Sequence, residues 1–457
     1  MNDQGSFRDP AGFIFEHEGE IYRCVNLEYK KNYDYLLSSG LYESLVVDNL
    51  LIPHQEVLLK GLDYPSSYKI LKPERIPFIS YPYEWCFSQL KDAALLVLKI
   101  QLKALDHQMT LKDGSAFNVQ FYKGKPIFID TLSFEIYKPN TPWIAYRQFC
   151  QHFMAPLALM KYVEPRLSAL LKNHIDGIPL DVAAKLLPWR ANLNFGIYIH
   201  LKLHARYSQR YGDNSLKVND KRHLSYKAIF NLIRFLQSTV NSMKLNWVKT
   251  EWSHYYQEGI SHVDYVEHKE KIVSEWAREV KADCVWDIGS NNGSFSRILA
   301  RYSKQVISIE SDYICIEDIY KKVKSEGEER ILPLWIDFTN PSPGIGWVNE
   351  ERKSILQRGG KTDLIVMLAV IHHLSITYNI TFKMIAKWLS LNCKSLIIEF
   401  VPKSDEKVKT LLRNREDVFY FYSEIEFESE FSNYFTIEEK INIANSGRLL
   451  YEMQVKG

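Results

Sequence analysis

The first hundred residues alternate between strand-like and helix-like hydrophobic patterns. Residues 12–25 ("GFIFEHEGEIYRCV") alternate apolar and polar side chains around a central Glu-Gly pair, which predicts a β-hairpin. Residues 33–53 ("YDYLLSSGLYESLVVDNLLIP") predict a helix that ends near the glycine, then a strand that closes at the proline. Residues 75–85 ("RIPFISYPYEW") predict a further strand, and residues 84–107 have apolar side chains at helical spacing.

The remaining pattern predicts a hairpin, a helical region and an α/β region. Residues 110–135 contain a Lys-Gly pair at the tip of a predicted hairpin, and 141–245 are mostly helical except for a polar stretch at 210–223 that predicts an exposed loop. Strand and helix patterns alternate over 284–406, and 427–455 predict two strands joined by a turn at "NSG". We therefore expect three regions: a β-rich lobe (1–83), a mainly helical lobe with the hairpin (84–245) and an α/β domain (246–457).

The composition is that of an ordinary globular protein. Of 457 residues, 46% are hydrophobic and 25% are charged, and the net charge of +2 argues against a dedicated nucleic-acid protein. Segment 161–249 has 15 basic and 5 acidic residues, a balance of +10. It either offers a basic surface to an anionic partner or forms solvated helix faces. There is no signal-like N-terminus, no run that could span a membrane and no CxxC pair among six cysteines, so we expect a cytoplasmic protein with reduced thiols.

The stretch 283–312 ("DCVWDIGSNNGSFSRILARYSKQVISIESD") contains the most informative motif. An apolar run precedes an acid, two glycines and a helical pattern, and a second apolar run ends in Glu310, which predicts strand, turn, helix and strand. The dinucleotide register G-x-G-x-x-G would need glycines where Asn291 and Ser294 stand, and no G-K-[ST] follows for a phosphate loop. The register that fits is D-x-G-x-x-x-G, formed by Asp287, Gly289 and Gly293.

This motif resembles motif I of the class I S-adenosylmethionine (SAM)-dependent methyltransferases. The resemblance covers about 250–457, because strands also fit at "ILPLWIDFTN", "KTDLIVMLAVIHHL" and "SLIIEFVP". It implies a Rossmann-like seven-stranded α/β sheet and SAM as the cofactor. In this family the first acid helps to hold the ammonium group, Glu310 would accept the ribose hydroxyls, and Asp337 would bind the adenine amino group. The implied cofactor-binding residues are Asp287, Gly289, Ser290, Asn291, Gly293, Glu310, Asp337, Phe338 and Leu368.

Each of these assignments has a simpler alternative. The two glycines could serve a strand-to-helix turn in another kind of α/β protein. Glu310 could be a solvated strand end, and Asp337 could form a turn before "TNPSPG".

Two histidines follow the fourth strand of this region. His372 and His373 resemble the "HHL" ending of small-molecule methyltransferases, which implies a general base for a hydroxyl acceptor, with His372 as the first choice; the alternative is a capping or packing role. The chain lacks the [DN]-P-P-[YF] signature of amino-group methyltransferases, so oxygen is the expected acceptor atom. His254, His262 and His268 are too irregularly spaced for a metal cluster, and we expect their aromatic surroundings to cover the substrate.

The first half of the chain resembles aminoglycoside-phosphotransferase-like kinases. Asp113 precedes Asn118 by five positions, and Asp130 ends an apolar strand. In that family the corresponding residues are a catalytic base Asp, a metal-ligand Asn and a metal-ligand Asp. Lys112 replaces the usual histidine, and a glycine-rich loop is lacking, so we expect a degenerate kinase-like α+β region that binds substrate or a partner. An active kinase and an unrelated α+β domain are the alternatives.

The two resemblances together predict a SAM-dependent methyltransferase acting on a sugar-containing or other small metabolite. The whole chain resembles bacterial nodulation-type, glycan-modifying methyltransferases. Two alternatives remain open: RNA methylation through the basic segment 161–249, and a SAM-binding scaffold without catalysis. We expect a small-molecule or glycan acceptor, no membrane span and no metal.

Overall fold

The computed structural model divides into two compact units. Unit 1 comprises residues 1–246 and 343–353, and unit 2 comprises 247–342 and 354–457. Segment 343–353, which the sequence analysis assigned to the C-terminal domain, therefore belongs to unit 1. The structure describes residues 4–59, 64, 66–206, 224–245, 263–413 and 416–457.

Unit 1 begins with a four-stranded antiparallel sheet. Its order is β1-β2-β4-β3, and two separate hairpin-like pairs, β5 with β8 and β6 with β7, follow. The predicted hairpin at 12–25 is confirmed, since β1 pairs with β2 and both Glu18 and Gly19 take positive φ at its turn. The strands are β1 (Gly12–His17), β2 (Glu20–Asn26), β3 (His54–Val57), β4 (Ser67–Pro73), β5 (Met109–Leu111), β6 (Val119–Tyr122), β7 (Lys125–Phe128) and β8 (Phe134–Ile136).

Two predicted strands of unit 1 are wrong. Instead of the strand closing at residue 53, a helix runs from Leu41 to Val47, because Leu41 and Leu45 lie on one face of a helix and are both buried. Residues 74–81 form neither helix nor strand, and 82–84 form a 3₁₀ turn. The two prolines of 75–85 have no N–H to donate to a sheet, which explains the loss of that strand.

The rest of unit 1 is mainly helical, as predicted for the described part of 141–245. The predicted helix at 84–107 is confirmed as Phe87–Asp106, whereas the predicted loop at 210–223 lies outside the described residues. Two stretches are π-helical, Cys150–Met154 and Tyr198–Leu203. The α-helices that lie wholly within the described residues are Lys30–Ser38, Leu41–Val47, Phe87–Asp106, Tyr146–Phe149, Ala155–Tyr162, Leu170–Asn173, Leu180–Leu186, Phe195–Ile197 and Tyr226–Ser242.

Unit 2 is built on a seven-stranded sheet, and the predicted α/β fold is confirmed. The strands are β9 (Cys284–Ile288), β10 (Gln305–Glu310), β11 (Ile331–Trp335), β12 (Thr362–Met367), β13 (Cys393–Phe400), β14 (Phe435–Asn442) and β15 (Leu449–Val455). Their order is β11-β10-β9-β12-β13-β15-β14; β9 to β13 are parallel, and β15 is antiparallel to both of its neighbours. The helices are Val263–Val280, Ser294–Ala300, Tyr313–Glu326, Ile355–Gly359, Phe382–Asn392, Glu406–Leu412 and Glu424–Ser432.

The strand order of unit 2 reverses between β9 and β12. The chain passes from β9 outward to β10 and β11, then returns to β12 on the other side of β9. In open parallel sheets, a crevice opens at the carboxyl ends of the strands at such a reversal, and ligands bind there. The loops after β9, β10 and β12 therefore lie where a ligand is expected to bind.

Candidate active site

The loop after β9 turns sharply at Gly289. This glycine has φ +77°, and a Cβ atom there would lie 2.3 Å from Cγ2 of Val370 in the loop after β12. The N–H groups of Gly289 and Ser290 both donate to the carbonyl oxygen of Ile309, at 2.9 and 3.1 Å. Only glycine combines this backbone conformation with so close an approach of the neighbouring loop.

The second glycine of the motif, Gly293, caps the helix Ser294–Ala300. Its φ is +74°, and an added Cβ atom would lie 2.9 Å from Cγ1 of Ile319. At the same helix end, Asn292 Oδ1 accepts hydrogen bonds from the backbone N–H and the hydroxyl of Ser294, at 3.0 and 2.7 Å. This N–H group of the first turn therefore already has a partner within the protein.

Asp287, at the end of β9, is a buried carboxyl group. Only 1% of it is exposed, and Oδ2 accepts a hydrogen bond of 2.5 Å from the Ser296 hydroxyl, which lies 3.0 Å from the Ser308 hydroxyl. Burial raises the pKa of Asp287 to about 6, and the negative charge of Glu310 adds to this, although the Ser296 hydrogen bond opposes it. A cation bound beside Asp287 would favour its ionised form.

Glu310 ends β10 and reaches back to the glycine loop. Its Oε2 accepts the N–H of Asn291 at 3.0 Å, while Oε1 accepts the N–H groups of Ser311 and Asp312 at 2.7 and 3.1 Å and the Ser311 hydroxyl at 3.0 Å. The carboxylate is thus oriented by backbone donors from two loops. Oε2 accepts fewer of these bonds than Oε1 and has the greater remaining capacity for a ligand hydroxyl.

The two residues predicted to contact adenine, Asp337 and Phe338, follow β11 and differ in their contacts. Asp337 is exposed, and its Oδ1 accepts the N–H and the hydroxyl of Thr339 at 2.8 and 2.6 Å, as a turn-forming aspartate does. The Phe338 ring makes edge contacts with Trp388 and Trp286, at centroid distances of 5.0 and 6.4 Å. The adenine contacts expected of Asp337 and Phe338 remain predictions.

The chain leaves β12 through a strained turn. Leu368 is buried, and Ala369 has φ +54°, a conformation that costs a residue other than glycine on the order of 1–3 kcal/mol. Val370 follows and meets Gly289, and a π-helical turn runs from His373 to Thr377. Strained backbone and π-helical turns both concentrate at functional sites.

The two predicted histidines differ in exposure. His372 is fully buried, and neither ring nitrogen has a hydrogen-bond partner among the described residues, whereas His373 is half-buried. Their ring centroids are 4.1 Å apart. Burial lowers the pKa of His372 well below its usual range and, together with the positive charge of Lys407, lowers the pKa of His373 to about 4. Both imidazoles are therefore neutral at pH 7.

The sequence analysis missed a buried cluster of charges in unit 2. Lys269 Nζ donates to Glu399 Oε2 at 2.5 Å, and the Tyr265 hydroxyl donates to Oε1 at 2.9 Å. Arg448 bonds to the Tyr265 hydroxyl and to Glu399 with Nη1, and to the Asp405 carboxylate with Nε and Nη2. The cluster connects helix Val263–Val280 to residues at the ends of β13 and β15. Its cations add to the lowering of the pKa of His372.

In unit 1 the residues Asp113, Asn118 and Asp130, on which the kinase resemblance was based, lie close together. Asp113 is hydrogen-bonded to Asn118, whose Nδ2 donates to the Ser133 hydroxyl at 3.3 Å; that hydroxyl donates in turn to Asp130. Arg23 Nη2 lies 2.6 Å from Asp130 Oδ1 in an ion pair that is largely buried. Burial, with the negative charge of Asp130 second, raises the pKa of Asp113.

Comparison with curated proteins identifies the family. The chain is 30% identical over 457 residues to the nodulation protein NoeA of Rhizobium meliloti (strain 1021), and the alignment covers 98% of this chain and 95% of that protein. The chain belongs to the NoeA family. No protein-family profile matches it.

The structure is also similar to solved methyltransferases, at low sequence identity. One is the N-methyltransferase NodS of Bradyrhizobium japonicum WM9, 13% identical, covering 43% of this chain and 100% of that chain with a TM-score of 0.32. Another is the magnesium protoporphyrin IX methyltransferase of Synechocystis PCC 6803 with bound SAM, 18% identical, covering 45% of this chain and 89% of that chain, also with a TM-score of 0.32.

Of the three histidines that precede the sheet in sequence, the structure describes His268, whereas His254 and His262 lie outside the described residues. His268 Nδ1 accepts the N–H of Ala444 in a hydrogen bond of 3.0 Å. Over the described ranges no group of three or more His, Cys, Asp or Glu side chains could hold a metal ion. In the same ranges no helix is both long and apolar enough to cross a membrane.

Proposed function

We propose that this protein is a SAM-dependent methyltransferase whose cofactor lies at the carboxyl ends of β9, β10 and β12. The observation that carries the proposal is the position of two acids around one glycine loop. Asp287 is the second-last residue of β9, Glu310 is the last residue of β10, and the Glu310 carboxylate accepts a hydrogen bond from the loop N–H of Asn291. Both acids lie at the reversal of strand order, where α/β sheets bind their ligands.

The chemistry of the loop fits SAM better than a dinucleotide. SAM has an ammonium group, a sulfonium and ribose hydroxyls but no phosphate, so carboxylates suit it. The buried Asp287 would hold the ammonium group and Glu310 the ribose. The Ser290 hydroxyl is buried without a hydrogen-bond partner in the described part of the chain, which leaves it available to the cofactor. A pyrophosphate would instead meet the Glu310 charge and a helix start already capped by Asn292.

The half-buried His373 is the better placed of the two histidines to act as a base. SAM supplies a methyl group on a positively charged sulfur, and a hydroxyl acceptor must lose its proton as that methyl is transferred. His373 is neutral at pH 7 because burial and Lys407 lower its pKa to about 4. It is therefore in the unprotonated form that a base requires, and the same shift makes it a weaker base than an ordinary histidine. Buried His372 packs against His373 and would orient it. This reverses the order of preference that the sequence suggested.

The proposed acceptor is a hydroxyl of a sugar-containing or other small metabolite. The relative's name associates that protein with nodulation and names no acceptor, so the glycan acceptor rests on the resemblance described in the sequence analysis. Two other functions compete with this proposal: RNA methylation through the basic segment 161–249, and SAM binding without catalysis. The methylated product distinguishes them, because the first would methylate RNA and the second would methylate nothing.

Calorimetry with SAM tests the cofactor. Glu310→Ala should weaken SAM binding by about ten- to a hundredfold, because charge-assisted hydrogen bonds contribute about 1.5–3 kcal/mol. Asp283→Ala is the matched control, since Asp283 is an acid at the other end of β9 in a surface ion pair with Lys304. Equal loss in both variants, or tight binding of NAD, would contradict the assignment. Radiolabelled methyl transfer to small glycans, and not to RNA, should then identify the acceptor class.

For unit 1 we propose a kinase-like region that binds a ligand or a partner without transferring phosphate. The supporting observation is the Arg23–Asp130 ion pair, because the arginine supplies the positive charge that a metal ion supplies in a kinase. Mg²⁺-ATP should therefore neither bind tightly nor be hydrolysed. Asp130→Asn is the informative variant: if the unmodified protein binds ATP in a Mg²⁺-dependent way and Asp130→Asn abolishes that binding, the region is a functional nucleotide site and the proposal is wrong.

A further inference from the structure

A short segment of unit 1 exposes large apolar side chains. Trp189, Leu193 and Phe195 are 75%, 79% and 67% exposed, and Leu186 and Val163 are 45% exposed. Trp189 and Leu193 are the first and last residues of one five-residue 3₁₀ helix, so they are about 8 Å apart along its axis. We call these five residues the tryptophan surface. A single exposed apolar side chain is ordinary, but a group of this kind indicates a binding surface.

Two polar side chains of the same segment bond to neighbouring helices. Arg190 Nη2 donates to the carbonyl oxygen of Tyr162 at 2.8 Å, and Asn194 Nδ2 donates to the Ser242 hydroxyl at 3.2 Å. Segment 189–195 is thus bonded to two different helices, while its side chains Trp189, Leu193 and Phe195 are exposed.

The segment is also fixed by close packing. An added Cβ atom on Gly196 would lie 2.0 Å from Oγ1 of Thr239, so the backbone at this point is pressed against helix Tyr226–Ser242. The Phe195 ring lies 6.1 Å from the Phe235 ring of that helix. The apolar side chains are therefore exposed on a backbone segment that close packing holds in place.

Three cations around the tryptophan surface have uncharged partners, whereas Lys185 and Arg166 are paired with Asp181 and Glu164. Arg190 donates to a carbonyl oxygen, Lys202 donates to the carbonyl oxygen of Leu187 at 3.3 Å, and Lys161 lies over the Tyr162 ring at 4.9 Å. Residues 161–206 contain 7 Lys or Arg and 3 Asp or Glu, a balance of +4. The surface therefore combines exposed aromatic and aliphatic groups with net positive charge.

We propose that the tryptophan surface docks unit 1 on an anionic lipid surface. Tryptophan, leucine and phenylalanine enter the boundary between headgroups and acyl chains, while lysine and arginine beside them attract anionic headgroups. Charge complementarity selects this partner, because an apolar protein partner would not require the cations. Such docking is peripheral and needs no membrane-spanning helix. This docking would hold the protein close to amphiphilic molecules that lie in the same lipid surface.

Sedimentation with lipid vesicles tests the proposal with the full chain. The protein should sediment with vesicles of phosphatidylcholine mixed with phosphatidylglycerol, weakly with phosphatidylcholine alone, and less at high salt. Trp189→Ser combined with Leu193→Ser should lower the partition coefficient at least about tenfold, because each side chain contributes its apolar area. Trp347→Ser is the matched control, since Trp347 is 72% exposed in another segment of unit 1.

Three outcomes would overturn the proposal. The first is the absence of sedimentation with both vesicle types. The second is a loss in the Trp347→Ser control as large as that in the double variant. The third is a dimer in solution that the double variant dissociates, since the tryptophan surface would then be an interface between two copies of the chain. Circular dichroism of the variants should match the parent, because all substituted residues are exposed.

Discussion

Asp287 should make SAM affinity depend on pH. Burial raises its pKa to about 6, from the ordinary value of 3.8 for an aspartate side chain. The protonated form is thus favoured in the folded protein, so ionisation of the buried Asp287 lowers the stability of the fold by about 3 kcal/mol as pH rises from about 4 through 6. A bound ammonium group reverses the preference, because it interacts with the ionised form. At pH 5 about a tenth of the free protein has Asp287 ionised, and at pH 7 about nine tenths, so the Kd for SAM should fall about tenfold between these values.

Calorimetry between pH 5 and 7, in two buffers of different ionisation enthalpy, measures both the Kd and the protons released. Asp287→Asn should bind SAM weakly with little change over this range, and Asp283→Asn, at the opposite end of β9, should keep the tenfold change. The pKa of His373 is about 4, so that histidine does not titrate in this window. A Kd that is independent of pH in the parent protein, or an equal pH dependence in Asp287→Asn, would refute the reasoning.

Two further predictions concern the glycine loop and the histidines. Gly293→Ala should lower the free energy of unfolding by about 3 kcal/mol in urea titrations, because it combines a left-handed residue with a clash against Ile319; Gly327→Ala, at φ +68° with nothing within 4 Å, should cost only about 1–2 kcal/mol. If both substitutions lowered the free energy of unfolding equally, the predicted clash with Ile319 would be wrong. His373→Asn should lower kcat by about 10²–10⁴ with unchanged SAM affinity. His372→Asn should mainly lower the melting temperature, and a larger loss of kcat from this variant would restore His372 as the base.

The α/β pattern of unit 2 could be predicted because it is local. Each buried strand is a short apolar run and each helix an apolar stripe, so the 284–288 and 305–310 strands and the helix between them follow from neighbouring residues alone. The sharp turn at Gly289 could be anticipated for the same reason. Its close contact with Val370 could not, because that residue comes from a loop 81 positions later in the chain.

The prediction of a strand closing at Pro53 failed where local patterns are ambiguous. Residues 41–52 contain apolar side chains at spacings that fit a strand or a helix, and length and context decide between them. Gly40, with φ +75°, ends one helix and lets the chain begin another at once. Leu41 and Leu45 then share a buried face, and that burial depends on the rest of unit 1.

The buried charge cluster shows what sequence patterns leave undetermined in the candidate site. Glu399 stands inside the apolar strand "SLIIEF", and a buried carboxylate requires a cation, so the sequence indicates that a partner exists. It does not indicate which one, because Lys269 lies 130 positions earlier and Arg448 49 positions later. Ion pairs of this kind follow from the final positions of helix Val263–Val280 and β15 and have no local signature. The residues that set the electrostatics around His372 are therefore accessible only from the folded structure, whereas the glycine loop is readable in advance.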